Sequence, residues 1–312
     1  MKKIYIVLSF CFFEFLFFSS SSFAANLSLS IEPAMLRVQI KPGKSITKAY
    51  SIHNKSTEDK VLVARVVPFF KSDLLGNPVL DIKNRYEWLN YFKLSNADIE
   101  LDKPFTIKAD SSQQLVLSLS IPETAPLKDL YATLLVSTYT NLLSSEQKGT
   151  VVSGSIGTNL LVSITSEINP KTILKIEKIR PTSGTYFHFG NIYLVDNLSP
   201  ITFEAEVLNE GEFTAETRGL FKIIKKNEPV FLMGILPQYV ISKSSRALTP
   251  IKNEKFRFDP EFRYIGSYQA VFEIKTDNAN SQNSLNLFLF PFKAILGLFV
   301  GLVLLILIIT KR

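Results

Sequence analysis

The sequence predicts an all-β protein of two antiparallel β-sandwich domains with an apolar segment at each end. Three observations carry this. Short runs of alternating apolar and polar residues recur between about Asn26 and Ser284. Clusters of Pro, Gly, Asn and Ser separate those runs, and few windows there have a helical period. Both termini carry long apolar stretches of the kind that direct a chain to a membrane or hold it there.

The first apolar stretch reads as a signal peptide. Lys2 and Lys3 precede a run from Ile4 to Phe18 that tolerates Glu14, and a serine tract follows. Ser22 and Ala24 are small residues suitably placed for cleavage before Ala25, so residues 1–24 are expected to be removed on export, with Ala25 as an adjacent cleavage point. Phe10 is too bulky to precede a lipoprotein cysteine at Cys11.

At the other end, Ala294 to Thr310 is apolar without a break, and Leu287 to Phe292 extends it across Lys293. A bilayer core of about 30 Å needs roughly 20 helical residues. Residues 288–310 are therefore expected as one transmembrane helix, with Lys293 snorkelling to the outer headgroups. Residues 281–287 read as a stalk, and Lys311 and Arg312 as a cytoplasmic stub. The expected location is the cell membrane, single-pass, with the ectodomain outside.

The formal charge of +7 becomes +6 without Lys2, Lys3 and Glu14, and +3 without Lys293, Lys311 and Arg312 as well. So mild a charge on an exported domain gives no reason to expect nucleic acid. Cys11, the sole cysteine, leaves with the signal, so the mature ectodomain must be held by packing without a disulfide.

In the ectodomain, Leu36, Val38 and Ile40 share one face, and "KPGK" (41–44) turns the chain with Pro42 presetting φ and Gly43 free to take φ > 0. Ile46, Tyr50 and Ile52 follow on one face, then "VLVARVVPFF" as a more buried strand. Asn84 to Phe92 is a short helical candidate, and Leu115, Leu117, Leu119 and Ile121 form the cleanest period-two run. Pro122 stops that strand and Pro126 holds a corner. Tyr131 then opens a new strand, with Leu134 and Val136, and is expected in the core, whereas Asp129 is expected exposed. Thr150 to Thr165 reads as a strand at a sheet edge.

Asn169-Pro170 divides the ectodomain into residues 25–169 and 170–280, each expected to be an Ig-like sandwich. Strands are expected at Lys171 to Arg180, Tyr186 to Val195, Ile201 to Leu208, Arg218 to Lys226 and Tyr264 to Lys275. Each half has a strand that ends in Asn before a polar turn, at Asn54 and at Asn209, and a late strand led by Tyr.

Chemistry is sparse. His53 and His188 lack His, Cys or carboxylate neighbours at metal-ligand spacing, and no GxSxG or SxxK motif occurs. "GSIGTN" lacks the third glycine of a nucleotide loop. No cofactor, metal or catalytic residue is expected. Glu204 and Glu206 read as a solvated strand face. Trp88, Tyr91 and Phe92 are candidate binding residues, since such aromatics can present a sugar-binding surface as well as fill a core. Lys222, Lys225 and Lys226 are a second candidate. With Lys171, Lys175, Lys178 and Arg180 they would form a patch for anionic polymers or headgroups if their strands adjoin, or else a solvated edge.

The early "KPGKSITKAYSIHNKSTEDKVLV" block, the later "IKADSSQQLVLSLSIPETAP…Y" block, the second β domain and the final helix with its basic stub resemble the WxL-interacting cell-surface proteins of Gram-positive bacteria. The chain resembles more distantly the Ig-like pilus chaperones and Ig-like modules of other surface proteins. The first resemblance implies a peptidoglycan-binding first sandwich and a partner-binding second one. Lys128-Asp129-Leu130-Tyr131-Ala132 departs from the family, which carries a glycine before the aromatic. The function expected is thus non-enzymatic: a membrane-anchored extracellular protein that attaches to cell-wall glycan or to a surface protein partner. The alternatives are a pilus-type chaperone that donates a strand, and a cell-wall-active hydrolase.

Overall fold

A computed structural model describes residues 28–139, 154–252, 255–276 and 278–311. The expected signal peptide, Thr140 to Ser153 and Arg312 lie outside the described residues. The first half contains β1 (Leu29–Glu32), β2 (Met35–Ile40), β3 (Ser45–Asn54), β4 (Lys60–Ser72), β5 (Pro78–Leu80), β6 (Phe92–Leu94), β7 (Pro104–Ile107), β8 (Ser111–Ser120), β9 (Asp129–Thr138) and β10 (Ser155–Ile164). The second contains β11 (Leu174–Ser183), β12 (Tyr186–Phe189), β13 (Ile192–Asp196), β14 (Ile201–Asn209), β15 (Ala215–Lys225), β16 (Glu228–Val240), β17 (Ser244–Ala247), β18 (Phe256–Phe258), β19 (Gly266–Lys275) and β20 (Asn280–Phe290). Helix α1 (Phe292–Thr310) closes the chain.

Each half is an Ig-like sandwich of two sheets. In the first, β1-β3-β8-β6 faces β2-β10-β9-β4-β5, with β7 also on β4. In the second, β11-β14-β17, with β18 on β14, faces β12-β13-β20-β19-β15-β16. The first core gathers Tyr50, Ile52, Leu62, Leu115, Leu134 and Leu160, and the second Phe203, Phe221, Phe256, Phe258 and Phe272. Among the described residues, pairing is antiparallel except at two places, β2 with β10 and β13 with β20. In both, a strand near the start of its domain lies parallel to the domain's last strand. In the first domain the chain crosses between sheets at Pro33, which has no N–H to place in either ladder.

The Asn-plus-turn likeness between the halves is a shared piece of architecture. Asn54 Nδ2 donates to the carbonyls of Glu58 (2.9 Å), Lys108 (3.0 Å) and Ile107 (3.3 Å), while its Oδ1 accepts from Ser56 N–H and hydroxyl. Asn209 Nδ2 donates to Phe213 O (2.8 Å) and Val240 O (2.9 Å), and its Oδ1 accepts from Gly211 N–H (2.9 Å). Both side chains are buried. Each clasps a turn through the residues two and four ahead and ties it to a more distant strand.

The turn at Lys41–Lys44 forms as the dipeptide Pro42-Gly43 dictates: Gly43 has φ 74° and Lys44 N–H bonds Lys41 O. The helical candidate at Asn84 to Phe92 is a single 3₁₀ turn, Glu87–Tyr91. Expectation and structure differ elsewhere. Residues 281–287 are part of β20 and form no stalk, because Leu285, Leu287 and Leu289 alternate into the second core. For the same reason the apolar helix starts at Phe292 instead of residue 288, after Pro291, which cannot donate to a ladder. The expected strand Tyr186 to Val195 is a hairpin, β12 and β13, turned at Gly190 (φ 57°). Strand β10 is an edge only over Ser155 to Thr158, since β2 covers it from Asn159 to Ile164.

Candidate interaction site

The corner at Lys128 to Tyr131 builds the junction between the domains. Parity along β9 puts Leu134 and Val136 in the first core and turns Tyr131 to the other face of the sheet. There Tyr131 joins a row that crosses five strands. Leu80 stands opposite Phe69, the Phe69 ring stacks on Tyr131 at 5.6 Å, and Leu161 stands opposite both Tyr131 and Arg37. This row meets Ile241 and Tyr239 of the second domain. The expectation that Tyr131 is a core residue of the first domain is therefore corrected.

Asp129 is also not an exposed corner residue. Its Oδ2 accepts from Tyr131 hydroxyl (2.6 Å), Thr214 hydroxyl (2.6 Å) and Thr214 N–H (2.5 Å). Tyr131 Oη in turn accepts Ser242 N–H at 2.9 Å. Burial, and next the Asp129 carboxylate, push the Tyr131 phenol far above its ordinary pKa, which keeps it a neutral donor. Nearby, Arg37 lies 4.9 Å over the Tyr239 ring and 3.6 Å from Glu216. A second strut comes from the β4–β5 hairpin, whose Leu74 and Leu75 carbonyls accept from Ala247 N–H (2.8 Å) and Arg246 Nη2 (3.2 Å).

This junction flanks an open sheet edge. Ala34 O accepts Asn159 N–H and Ile40 O accepts Thr165 N–H, so even-numbered residues of β2 point their backbone at β10. Met35, Arg37 and Gln39 consequently turn theirs outward. Beyond the start of β2, the same alternation turns Ser155 and Gly157 of β10 to that edge. The edge steps outward by one strand where β2 begins, and neither strand contains a proline. Among the described residues, three other edges carry guards of the kind that discourage strand addition. Asn96 caps β8 by donating to Gln114 O and accepting Val116 N–H, both at 2.8 Å. Strand β16 has Pro229, Pro237 and two register shifts, and β11 has Pro181, two shifts and Lys175, Lys178 and Arg180.

The sequence-derived candidates lie apart from this edge. Phe92 is 3% exposed in the first core, and Trp88 and Tyr91 pack against it half-buried, so the three present no common aromatic platform. Lys222, Lys225 and Lys226 belong to β15 and its turn, whereas Lys175, Lys178 and Arg180 sit on β11 in the opposite sheet. The joined basic patch does not form. Lys178 pairs with Glu206 and Arg180 with Glu204, both at 3.1 Å. Lys225 donates to Ile265 O and lies 4.9 Å over the Tyr268 ring, and Lys226 occupies the β15–β16 turn with φ 48°. Among the described residues, no group of three His, Cys, Asp or Glu could hold a metal.

Lys222 bonds Glu273, whose second oxygen meets Lys275 at 3.2 Å. The bond from Lys222 is the largest cause holding the Glu273 carboxyl below the usual range. A depressed folded value contributes stability above the ordinary glutamate range, and that contribution is lost as pH falls through the folded value. Glu273 should titrate below the ordinary glutamate value by carbon-detected NMR, and Lys222→Met should raise it toward that value.

No protein-family model matches the chain, and no curated protein matches it. Several solved structures are similar at low identity. The class 5 fimbriae chaperone CfaA aligns at 12% identity over 83% of this chain and 99% of its own, with a TM-score of 0.41. The Escherichia coli chaperone DraB aligns at 14% over 83% and 97%, TM-score 0.35. The Pseudomonas aeruginosa chaperone CupB2 aligns at 11% over 81% and 98%, TM-score 0.36.

Proposed function

We propose that the chain is a non-enzymatic, membrane-tethered binding protein of the cell surface that takes up an extended segment of a surface-protein partner along the β10–β2 edge. The observation that carries this is the backbone of Ser155, Gly157, Met35, Arg37 and Gln39, which turns outward with no strand paired to it among the described residues, whereas the edges of β8, β11 and β16 are capped, kinked or charged. Main-chain bonds to such an edge supply affinity, and the side chains beside it supply selectivity. Helix α1, 19 residues long with none of them buried, is long and apolar enough to cross a membrane. With the signal-like N-terminus, it supports an outward-facing ectodomain.

The partner class agrees with the resemblance to the WxL-interacting surface proteins. A wall-glycan ligand is less well supported, because Trp88, Tyr91 and Phe92 are engaged by the first core. Strand donation to a client during assembly uses the same edge with a shorter lifetime, and a pulse–chase of the cross-link described next separates the two.

A photo-reactive residue at Met35 should cross-link to a secreted or surface polypeptide in cells, while the same residue at Lys48, on the other sheet, should not. Ser155→Pro with Gln39→Pro removes two outward N–H donors and spares the ladders to β9 and β10. The double variant should fold and lose the Met35 cross-link at least tenfold. Unchanged cross-linking, or labelling of glycan alone, would refute the edge as the site.

A further inference from the structure

The outward face of the sheet at β12, β13 and β20 is apolar where a soluble surface would be mixed. Phe187 stands opposite Leu194, Phe189 opposite Ile192, and Leu194 opposite Phe288. Alternation sends Tyr186, Tyr193, Val195, Leu287 and Leu289 into the core and these residues outward. Phe187 is 52% exposed, Phe189 66%, Ile192 48% and Phe288 37%. The face is continuous with the helix: the Phe187 ring lies 5.2 Å from that of Phe292, the first residue of α1.

We propose that this face is a second membrane contact, which lies on the outer leaflet beside the helix and fixes the tilt of the ectodomain. The inference rests on the reading of α1 as membrane-spanning. A helix of 19 residues is about 28 Å long, close to the roughly 30 Å of a hydrocarbon core. It has no length to spare, so Phe292 sits at the hydrocarbon boundary and Phe187 beside it among the headgroups, where aromatic side chains are favoured. Each further pair of strand residues adds about 7 Å. Phe189 and Ile192 reach the lipid if the sheet leans its outward face onto the bilayer.

The neighbouring hollow suits that pose. It has a volume of about 400 Å³, and Ile192 and Phe288 form its apolar side, while Lys226, Asn227, Gln269 and Asn286 supply a cation and amides for headgroup oxygens. A lipid surface accounts for the continuity with the helix and for the basic, amide-bearing rim together. A second copy of the chain would account for the apolar face alone.

The test uses the full chain as Cys11→Ser, with a fluorophore on a single introduced cysteine at Phe189, Gly301 or Lys175, in vesicles of phosphatidylcholine and phosphatidylglycerol. Nitroxide lipids carry the quencher at the headgroup or deep in the chain. The Phe189 probe should lose roughly half its emission to the headgroup quencher, the Gly301 probe should respond to the deep one, and the Lys175 probe to neither. A quenched Gly301 with an unquenched Phe189 overturns the patch and leaves the tether standing. An unquenched Gly301 overturns the tether and the patch with it. A Phe189 probe shielded from both water-borne and lipid quenchers means that protein covers the face, which also refutes the proposal.

Discussion

Asn54→Ala should lower the stability of the first domain by about 3 kcal/mol, and Asn209→Ala should do the same to the second. Removing Asn54 leaves the carbonyls of Glu58, Ile107 and Lys108 without their donor, and Ser56 N–H without its acceptor. A buried polar group left unpaired costs about 1–3 kcal/mol, and water can reach only some of these. Asn209→Ala strands the carbonyls of Phe213 and Val240 and the N–H of Gly211. Thermal unfolding should shift by roughly 10 °C for the affected domain. Asp at either position keeps the acceptor and loses the amide donor, so it should be nearly as damaging as Ala. A change under about 0.5 kcal/mol, the range of ordinary surface substitutions, would show that the two clasps are ornamental.

The second large effect is expected at the junction. Tyr131→Ala removes the ring that stacks on Phe69, together with the hydroxyl that links Asp129 to Ser242. Truncating a buried aromatic costs about 3–5 kcal/mol, and here the loss falls on contact between the domains. The first domain should stay folded while the pair comes apart. Spin labels at Lys48→Cys and Lys175→Cys in the Cys11→Ser chain report this: a narrow distance distribution in the parent should broaden in Tyr131→Ala. A double-mutant cycle of Asp129→Ala and Thr214→Ala should give a coupling of about 1.5–3 kcal/mol, as for a hydrogen bond to a charged group. If Tyr131→Ala instead unfolds the first domain and leaves the spacing narrow in the molecules still folded, the row across the sheet is not the hinge of the molecule.

The sequence and the fold agree where one signal dominates. Leu115, Leu117 and Leu119 alternate cleanly and lie in the first core, and Pro42-Gly43 makes its turn. The repeated Asn-plus-turn pattern foreshadowed the two clasps. The failures have particular causes. The sequence carries no clear sign of strand β16, because Pro229, Gly234 and Pro237 break its alternation. The end of β20 reads as helix in the sequence because Leu-Phe-Leu-Phe is apolar on both faces, so that hydropathy hides the period of two. Tyr131 reads as a core residue by its size and apolar neighbours, yet it is out of step with Leu134 and Val136. Strand periodicity separates two faces, but it does not tell whether the outer one meets water or another domain. Of the open edge, the sequence marks only the β10 part, as the edge strand expected at Thr150 to Thr165; the part along β2 carries no signal, since free backbone groups are a property of strand order.

Strand β20 passes into α1 through Pro291 alone. A pull on the first domain against an anchored helix would therefore reach the fold along the axis of β20, with no slack to absorb it. That strand is bonded along its length to β19 and near its end to β13. Its hydrogen bonds run across the direction of the pull, so they would bear the load in shear and together, where a peeled strand would lose them one after another. With the helix anchored as proposed, the root of the molecule would hold under tension, and the weaker point would be the junction between the domains, which could yield and re-form while the root stays intact.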